Sequence, residues 1–299
     1  MCANIYKLFK HLTPKAIPAL FILCAIFSSA SAGFACPKIS DMPDFNCDQT
    51  VHFVLLGDSL AYGFGDTKNG DQGGYALRAQ AKFPNLTISN LGEPGLRTLQ
   101  LILKIQRAFK RNSHSPFKEA LLSADVVFLD LGRNDRWLFG EPLEAYRNLK
   151  RIASMIKSSV QKAGGVSPLV VKAVLMLPNR GSQGPWVAAL NDLIKASNSL
   201  NFPADLRFDT VSKRLLSFDQ IHPTSKGYAA LASVFIKYIK KSLPGKITAL
   251  RPDLDSDGVY DLFETSKYFT DPTLLDSDGD GVSDGDELFV FNSDPLSVS

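Results

Sequence analysis

Histidine and cysteine are scarce in this chain, and the shortage narrows its chemistry. Among 299 residues there are four of each. Two of the cysteines, Cys2 and Cys24, sit in a leader-like segment, so only Cys36 and Cys47 remain. Both lie near the amino terminus, away from the strand ends where catalytic groups gather, and neither is a candidate nucleophile. A long apolar run is lacking too. Residues 16–27 (AIPALFILCAIF) are too short to span a bilayer comfortably. Lys7, Lys10 and Lys15 accompany them, and an Ala30-Ser31-Ala32 cleavage pattern follows, so residues 1–32 read as a secretory signal peptide. Export in turn makes a Cys36–Cys47 disulfide the expected state of the remaining pair. It would contribute roughly 3 kcal/mol by closing a short loop.

Positive charge is almost missing from one end. Residues 253–299 hold thirteen Asp or Glu and a single Lys, a charge of −12. The whole chain carries +3, of which the leader supplies three lysines, so residues 33–252 carry about +12. A basic body and an acidic tail of this contrast indicate two modules with different jobs.

Between residues 51 and 242 apolar runs alternate with helical patterns. The strand candidates are 51–56, 86–90, 125–131, 169–177 and 206–210. Helices are expected over 74–83, 97–111, 142–163, 185–200 and 224–242. This β-α-β order predicts a parallel sheet with helices on both faces. In such a sheet the working groups lie beyond the carboxyl ends of the strands. Residues 243–252 (LPGKITALRP) read as a linker, and residues 33–50 as a short amino-terminal segment.

Polar motifs stand at those strand ends. Gly57-Asp58-Ser59-Leu60 follows the first strand, and Asn90-Leu91-Gly92-Glu93-Pro94-Gly95 follows the second. Gly132-Arg133-Asn134-Asp135 follows the third, and Asp219-Gln220-Ile221-His222 the fifth. A serine hydroxyl is a weak nucleophile at neutral pH and needs a base, and the base needs an orienting carboxylate. Outside the leader the bases are few. His52 opens a strand at the opposite edge and His114 sits in a basic, serine-rich loop, which leaves His222. Asp219 is three residues before it, within reach of the ring's other nitrogen. The backbone amides of Ser59 and Gly95 and the side-chain amide of Asn134 are candidate donors to an oxyanion.

Taken together these motifs resemble the SGNH, or GDSL, hydrolases, over roughly residues 50–242. The resemblance implies a three-layer α/β/α fold with a flavodoxin-like, five-stranded parallel sheet. It also implies a Ser59-His222-Asp219 triad, an oxyanion hole of Ser59, Gly95 and Asn134, and hydrolysis of carboxylic esters or thioesters without a catalytic cofactor. Pro94 precedes Gly95, and Gly92 is the rival for the second donor.

The tail carries an internal repeat of 23 residues. Asp253, Asp255, Asp257, Asp261 and Glu264 recur as Asp276, Asp278, Asp280, Asp284 and Glu287, with Gly258 recurring as Gly281. Each set fits D-x-D-x-D-G-x5-E, the oxygen-rich pattern of a calcium loop. Eleven residues separate the loops, too few for paired helix–loop–helix units, so the tail resembles thrombospondin type 3 calcium repeats. The expected ligand is Ca2+, one ion per loop, and the expected role is stabilisation, surface attachment or docking on the basic body. The expected partners are small-molecule, glycan or lipid esters, not nucleic acid, acted on by a secreted or periplasmic monomer. O-acetylated carbohydrate is an alternative substrate. The alternative class is a calcium-dependent adhesion protein with an inactive body, which would be expected to have dropped a triad member; none is dropped.

Overall fold

The computed structural model describes residues 38–39, 42–67, 73–110 and 113–298. The expected signal peptide and Cys36 lie outside them. Five parallel strands form the central sheet: β1 (His52–Gly57), β2 (Thr87–Asn90), β3 (Val126–Asp130), β4 (Leu169–Val174) and β5 (Leu206–Arg207), in the order β2-β1-β3-β4-β5. β1, β3 and β4 are buried along their whole length, which explains why their sequences are apolar without alternation. The order reverses between β1 and β3, so the crevice at the carboxyl ends of these two strands is where an open α/β sheet places its ligand.

The helices are α1 (Ser59–Tyr62), α2 (Gly74–Gln80), α3 (Thr98–Ala108), α4 (Pro116–Leu122), α5 (Pro142–Lys162), α6 (Gln183–Ala196), α7 (Ser225–Lys241) and α8 (Leu243–Leu250). α3 to α6 pack as one layer, and α2 packs on α7 with α8 against α7 as the other. Under that second layer Phe128, Phe235, Tyr75 and Phe208 interlock, with ring centroids 4.8–5.4 Å apart along the chain of contacts. Among the described residues no helix is long and apolar enough to cross a membrane.

Three expectations are corrected. Residues 243–252 are not a linker, because Leu243–Leu250 is helix α8 with Leu243 and Ile247 fully buried. Pro244 suggests a break, yet proline in a first turn gives up an amide that has no intrahelical acceptor anyway. The fourth and fifth strands are shorter than expected. Asn191 donates to the Leu175 carbonyl and accepts from its amide, taking the place of a strand neighbour at the end of β4. After Arg207 the chain turns at once into a tight helical turn, Phe208–Thr210. The amino-terminal segment before β1, where Cys47 lies and where a frayed end is expected from its place in the chain, is packed instead. Met42, Asp44, Phe45 and Cys47 are buried. Asp125, at the foot of β3, accepts hydrogen bonds from the amides of Phe45, Asn46 and His52.

The tail packs on this same segment. Val259, Tyr260 and Phe263 enclose Cys47, the Tyr260 hydroxyl donates to the Asp44 carbonyl at 3.1 Å, and the Arg251 guanidinium covers the Phe45 ring at 3.8 Å. The first acidic loop is therefore part of the folded body's surface.

Candidate active site

Ser59 is presented by a sharp strand-to-helix turn. Gly57 ends β1 so close to β3 that a Cβ there would stand 2.6 Å from the Asp130 carbonyl oxygen and 2.5 Å from the Ala61 side chain. Only glycine fits. Asp58 then caps α1, its carboxylate accepting from the Leu60 amide at 3.0 Å. Ser59 is the first helical residue, with 8% of its surface exposed.

The Asp219–His222 turn is held as a closed loop. Leu216 pairs with Pro223, the Ser217 amide donates to the His222 carbonyl at 2.7 Å, and Gln220 takes the left-handed conformation (φ 61°). Asp219 Oδ1 accepts from the Ser217 hydroxyl and from the amides of Ile221 and His222. That leaves Oδ2 for the His222 ring. The result is a continuous chain: Asp219 Oδ2 to His222 Nδ1, 2.6 Å, and His222 Nε2 to Ser59 Oγ, 2.9 Å. Burial pushes the Asp219 carboxyl up, but the hydrogen bonds from Ser217, the His222 ring and the two amides outweigh it and hold it well below the usual carboxylate range. Phe64 lies against the imidazole, ring centroids 4.8 Å apart. The other histidines are elsewhere. His52 is buried between the Ser89 and Ser123 hydroxyls, with its pKa lowered by burial, and His114 is exposed.

Two of the donors expected for an oxyanion, Gly95 and Asn134, stand on the loops that follow β2 and β3. Asn134 Nδ2 donates one hydrogen to the Leu96 carbonyl at 3.2 Å, which sets its amide beside Gly95. Gly95 has φ 78°, a conformation that side chains rarely adopt, and open space where a Cβ would be. Gly92 is different: its amide donates to Asn90 Oδ1 at 3.1 Å, and a Cβ would collide with the Tyr62 and Ala61 backbone of α1.

Beneath these groups lies a charged cluster that sequence reasoning missed. Arg133 is 2% exposed and sits between Asp58 (3.2 Å) and Asp130 (2.6 Å, an ion contact without hydrogen-bond alignment), with the Tyr75 hydroxyl on the far oxygen of Asp130 at 3.1 Å. Burial pushes the Asp58 carboxyl up and Arg133 pulls it back. The neighbouring motif residue Asp135 accepts from the amide and hydroxyl of Thr98, fastening the start of α3 to the loop that carries Asn134. Burial raises the Asp135 carboxyl to about 6 despite those bonds.

In the tail, Asp253, Asp255 and Asp257 bring one carboxylate oxygen each within 4.8 Å of one another, and so do Asp276, Asp278 and Asp280. Asp261 and Asp284 also brace their own loops. Each accepts from a backbone amide near the start of its own loop, Leu254 and Ser277. Buried carboxylate oxygens of Asp253, Asp255, Asp278, Glu264 and Glu287 have no hydrogen-bond partner. Burial, with Asp255 and other acids adding to it, raises Asp257 to about 7 and Glu264 to about 8. Orphaned oxygens in an oxygen-only donor set fit a hard divalent cation.

A doubly covered parallel sheet in this order, with a serine, a histidine and a carboxylate linked at its carboxyl edge, defines a three-layer α/β/α hydrolase. Residues 55–230, more than half of the chain, match the model of the GDSL-like lipase/acylhydrolase family. The chain belongs to that family and is a carboxylic ester hydrolase of the GDSL type. Residues 276–298 match the bacterial TSP3 repeat. A member of the lipolytic G-D-S-L family from Veillonella parvula superposes with a TM-score of 0.52 at 17% identity, over 64% of this chain and 100% of that one. A lipase from a goat rumen metagenome gives 0.48 at 21% identity, over 62% and 96%. No curated protein matches the sequence.

Proposed function

We propose that the chain is an exported serine esterase in which Ser59 Oγ attacks the acyl carbonyl carbon. His222 Nε2 takes the hydroxyl proton, and Asp219 fixes the ring tautomer and stabilises the imidazolium. The Ser59 and Gly95 amides and Asn134 Nδ2 receive the developing oxyanion. Gly95 is preferred to Gly92 because the Gly92 amide is already given to Asn90. The tetrahedral intermediate expels the alcohol or thiol, which takes the proton from His222. Water then enters by the reverse sequence, its proton going to His222, and frees the acid and Ser59.

The observation that carries this reading is the Ser59–His222–Asp219 hydrogen-bond chain. Phe64, Trp137, Leu138 and Phe218 are exposed apolar side chains next to site residues, Phe218 at 98%. They suit the acyl chain of a lipid ester. The tail's carboxylates would hold calcium ions, supplying charge neutralisation and structure rather than chemistry at Ser59. Cys47 is disulfide-bonded, and Cys36 is the partner proposed for it in the exported protein. The leader, residues 1–32, would be removed on export.

Ser59→Ala is expected to lower ester hydrolysis by several powers of ten with the fold intact, leaving only binding and the oxyanion donors. A variant keeping a tenth of the wild-type rate would overturn the assignment. Asn134→Ala is expected to cost about 3 kcal/mol in the barrier, read in kcat. If KM alone rises, Asn134 binds substrate and the oxyanion is received elsewhere.

A further inference from the structure

One ion per loop would require Glu264, at the twelfth loop position, to complete the shell begun by Asp253, Asp255 and Asp257. The geometry divides the carboxylates differently. Glu264 is grouped with Asp257 and with Asp284 of the second repeat, one oxygen from each lying within 4.8 Å of the others. Oxygens bound to one calcium ion at 2.3–2.6 Å stand at most about 5 Å apart, so this spacing suits a single ion.

The three side chains are 5%, 0% and 0% exposed for Asp257, Glu264 and Asp284. One Glu264 oxygen receives only a long bond from the Thr270 hydroxyl, 3.3 Å, and the other, Oε2, is buried with no partner. Among the described residues no lysine, arginine or histidine forms an ion pair with any of the three. Three convergent buried carboxylates without a cation are costly to ionise. The remaining hydrogen bonds hold them in place. Asp257 Oδ2 accepts from the Gly285 amide at 3.0 Å, and Asp284 accepts from the Ser277 amide and hydroxyl at 2.7 and 2.6 Å. The first of these bonds already ties the first loop to the second repeat.

We propose that Asp257, Glu264 and Asp284 form a third divalent-cation site that straddles the two repeats, with Asp257 bridging it to the ion of the first loop. The proposal rests on the calcium reading of the tail given above. It makes the tail a three-ion unit whose central ion locks one repeat onto the other. The first loop is in turn anchored to the Asp44–Cys47 segment, so the lock extends to the hydrolase body.

Native mass spectrometry and calorimetric titration of the full chain with Ca2+ test this. Three ions are expected for the wild type and two for both Glu264→Gln and Asp284→Asn, each of which keeps the shape of the side chain it replaces. Two ions in the wild type, unchanged in Glu264→Gln, would overturn the straddling site and leave one ion per loop standing. Loss of an ion in Glu264→Gln but not in Asp284→Asn would also overturn it, because the site would then belong to the first loop alone. No bound calcium in the wild type would overturn the calcium reading itself.

Discussion

Under the nucleophile, Asp58 and Asp130 are buried around Arg133; in the tail, Asp257, Glu264 and Asp284 are buried with no protein cation among the described residues. The contrast separates two ways of holding carboxylates out of water. In the body the compensating charge is covalently part of the chain, so the elbow that presents Ser59 keeps its shape whatever the medium. In the tail, on the proposed calcium reading, the compensating charge would come from solution, and its packing would depend on what the medium contains. On the calcium reading proposed above, catalytic geometry would be independent of calcium, whereas the packing of the tail would not.

Removing the body's own cation breaks that contrast most severely. Arg133→Met leaves Asp58 and Asp130 buried without a counter-charge, and removing one partner of a buried ion cluster costs about 3–5 kcal/mol. The midpoint of urea unfolding should fall accordingly. Because Asp58 caps α1, kcat should fall as well. Adding Asp130→Asn to the same chain should restore part of the stability, since one of the two orphaned charges is then gone. Unfolding within 1 kcal/mol of the wild type would show that the cluster is solvated and that the comparison fails.

A chain ended after residue 250 sharpens the contrast from the other side. It loses Arg251 from the Phe45 ring and exposes the surface that Val259, Tyr260 and Phe263 cover. Full burial of such side chains stabilises by about 1.5–3 kcal/mol each. Part of that area belongs to the tail itself, so a net loss of about 3 kcal/mol is expected. Every group proposed for catalysis lies between Ser59 and His222, so kcat at low temperature should persist. The reading is a fall in melting temperature with kcat unchanged.

How much of this was legible in the sequence follows from how local each signal is. Ser59, Asn134, Asp219 and His222 were readable because each stands in a short motif at a strand end, and the strand order of a β-α-β chain brings strand ends together. The sheet was readable because β1, β3 and β4 are apolar throughout. Helix α8 was not, because Pro244-Gly245 looks like a break until Leu243 and Ile247 are seen to be buried. The Arg133 cluster was not, because its partners are 75 residues and three residues away and only the packing of β1 beside β3 joins them. The grouping of Glu264 with Asp284 was hidden for the same reason. A loop pattern assigns ligands within its own twelve residues and is blind to a neighbour's carboxylate.

The smallest effect, and the most specific to the tail, is a pH dependence that calcium should abolish. With a chelator present, burial holds Asp257 and Glu264 protonated up to about pH 7 and about pH 8, above the ordinary carboxyl range. A folded-state pKa above the unfolded one means that folding favours the protonated form. The stability this brings is complete below the unfolded value of about 4 and is lost as pH rises through 7 and 8. The melting temperature in chelator should therefore decline between about pH 4 and about pH 8 and level off above that. A bound divalent ion reverses the preference, because it interacts with the ionised carboxylates, so in millimolar calcium the decline should vanish. Arg133 gives the body a fixed counter-charge, and the chain ended after residue 250 should show the same slope with and without calcium. If that shortened chain responds to calcium as the full chain does, the cation acts on the body and the division between the two regions is wrong.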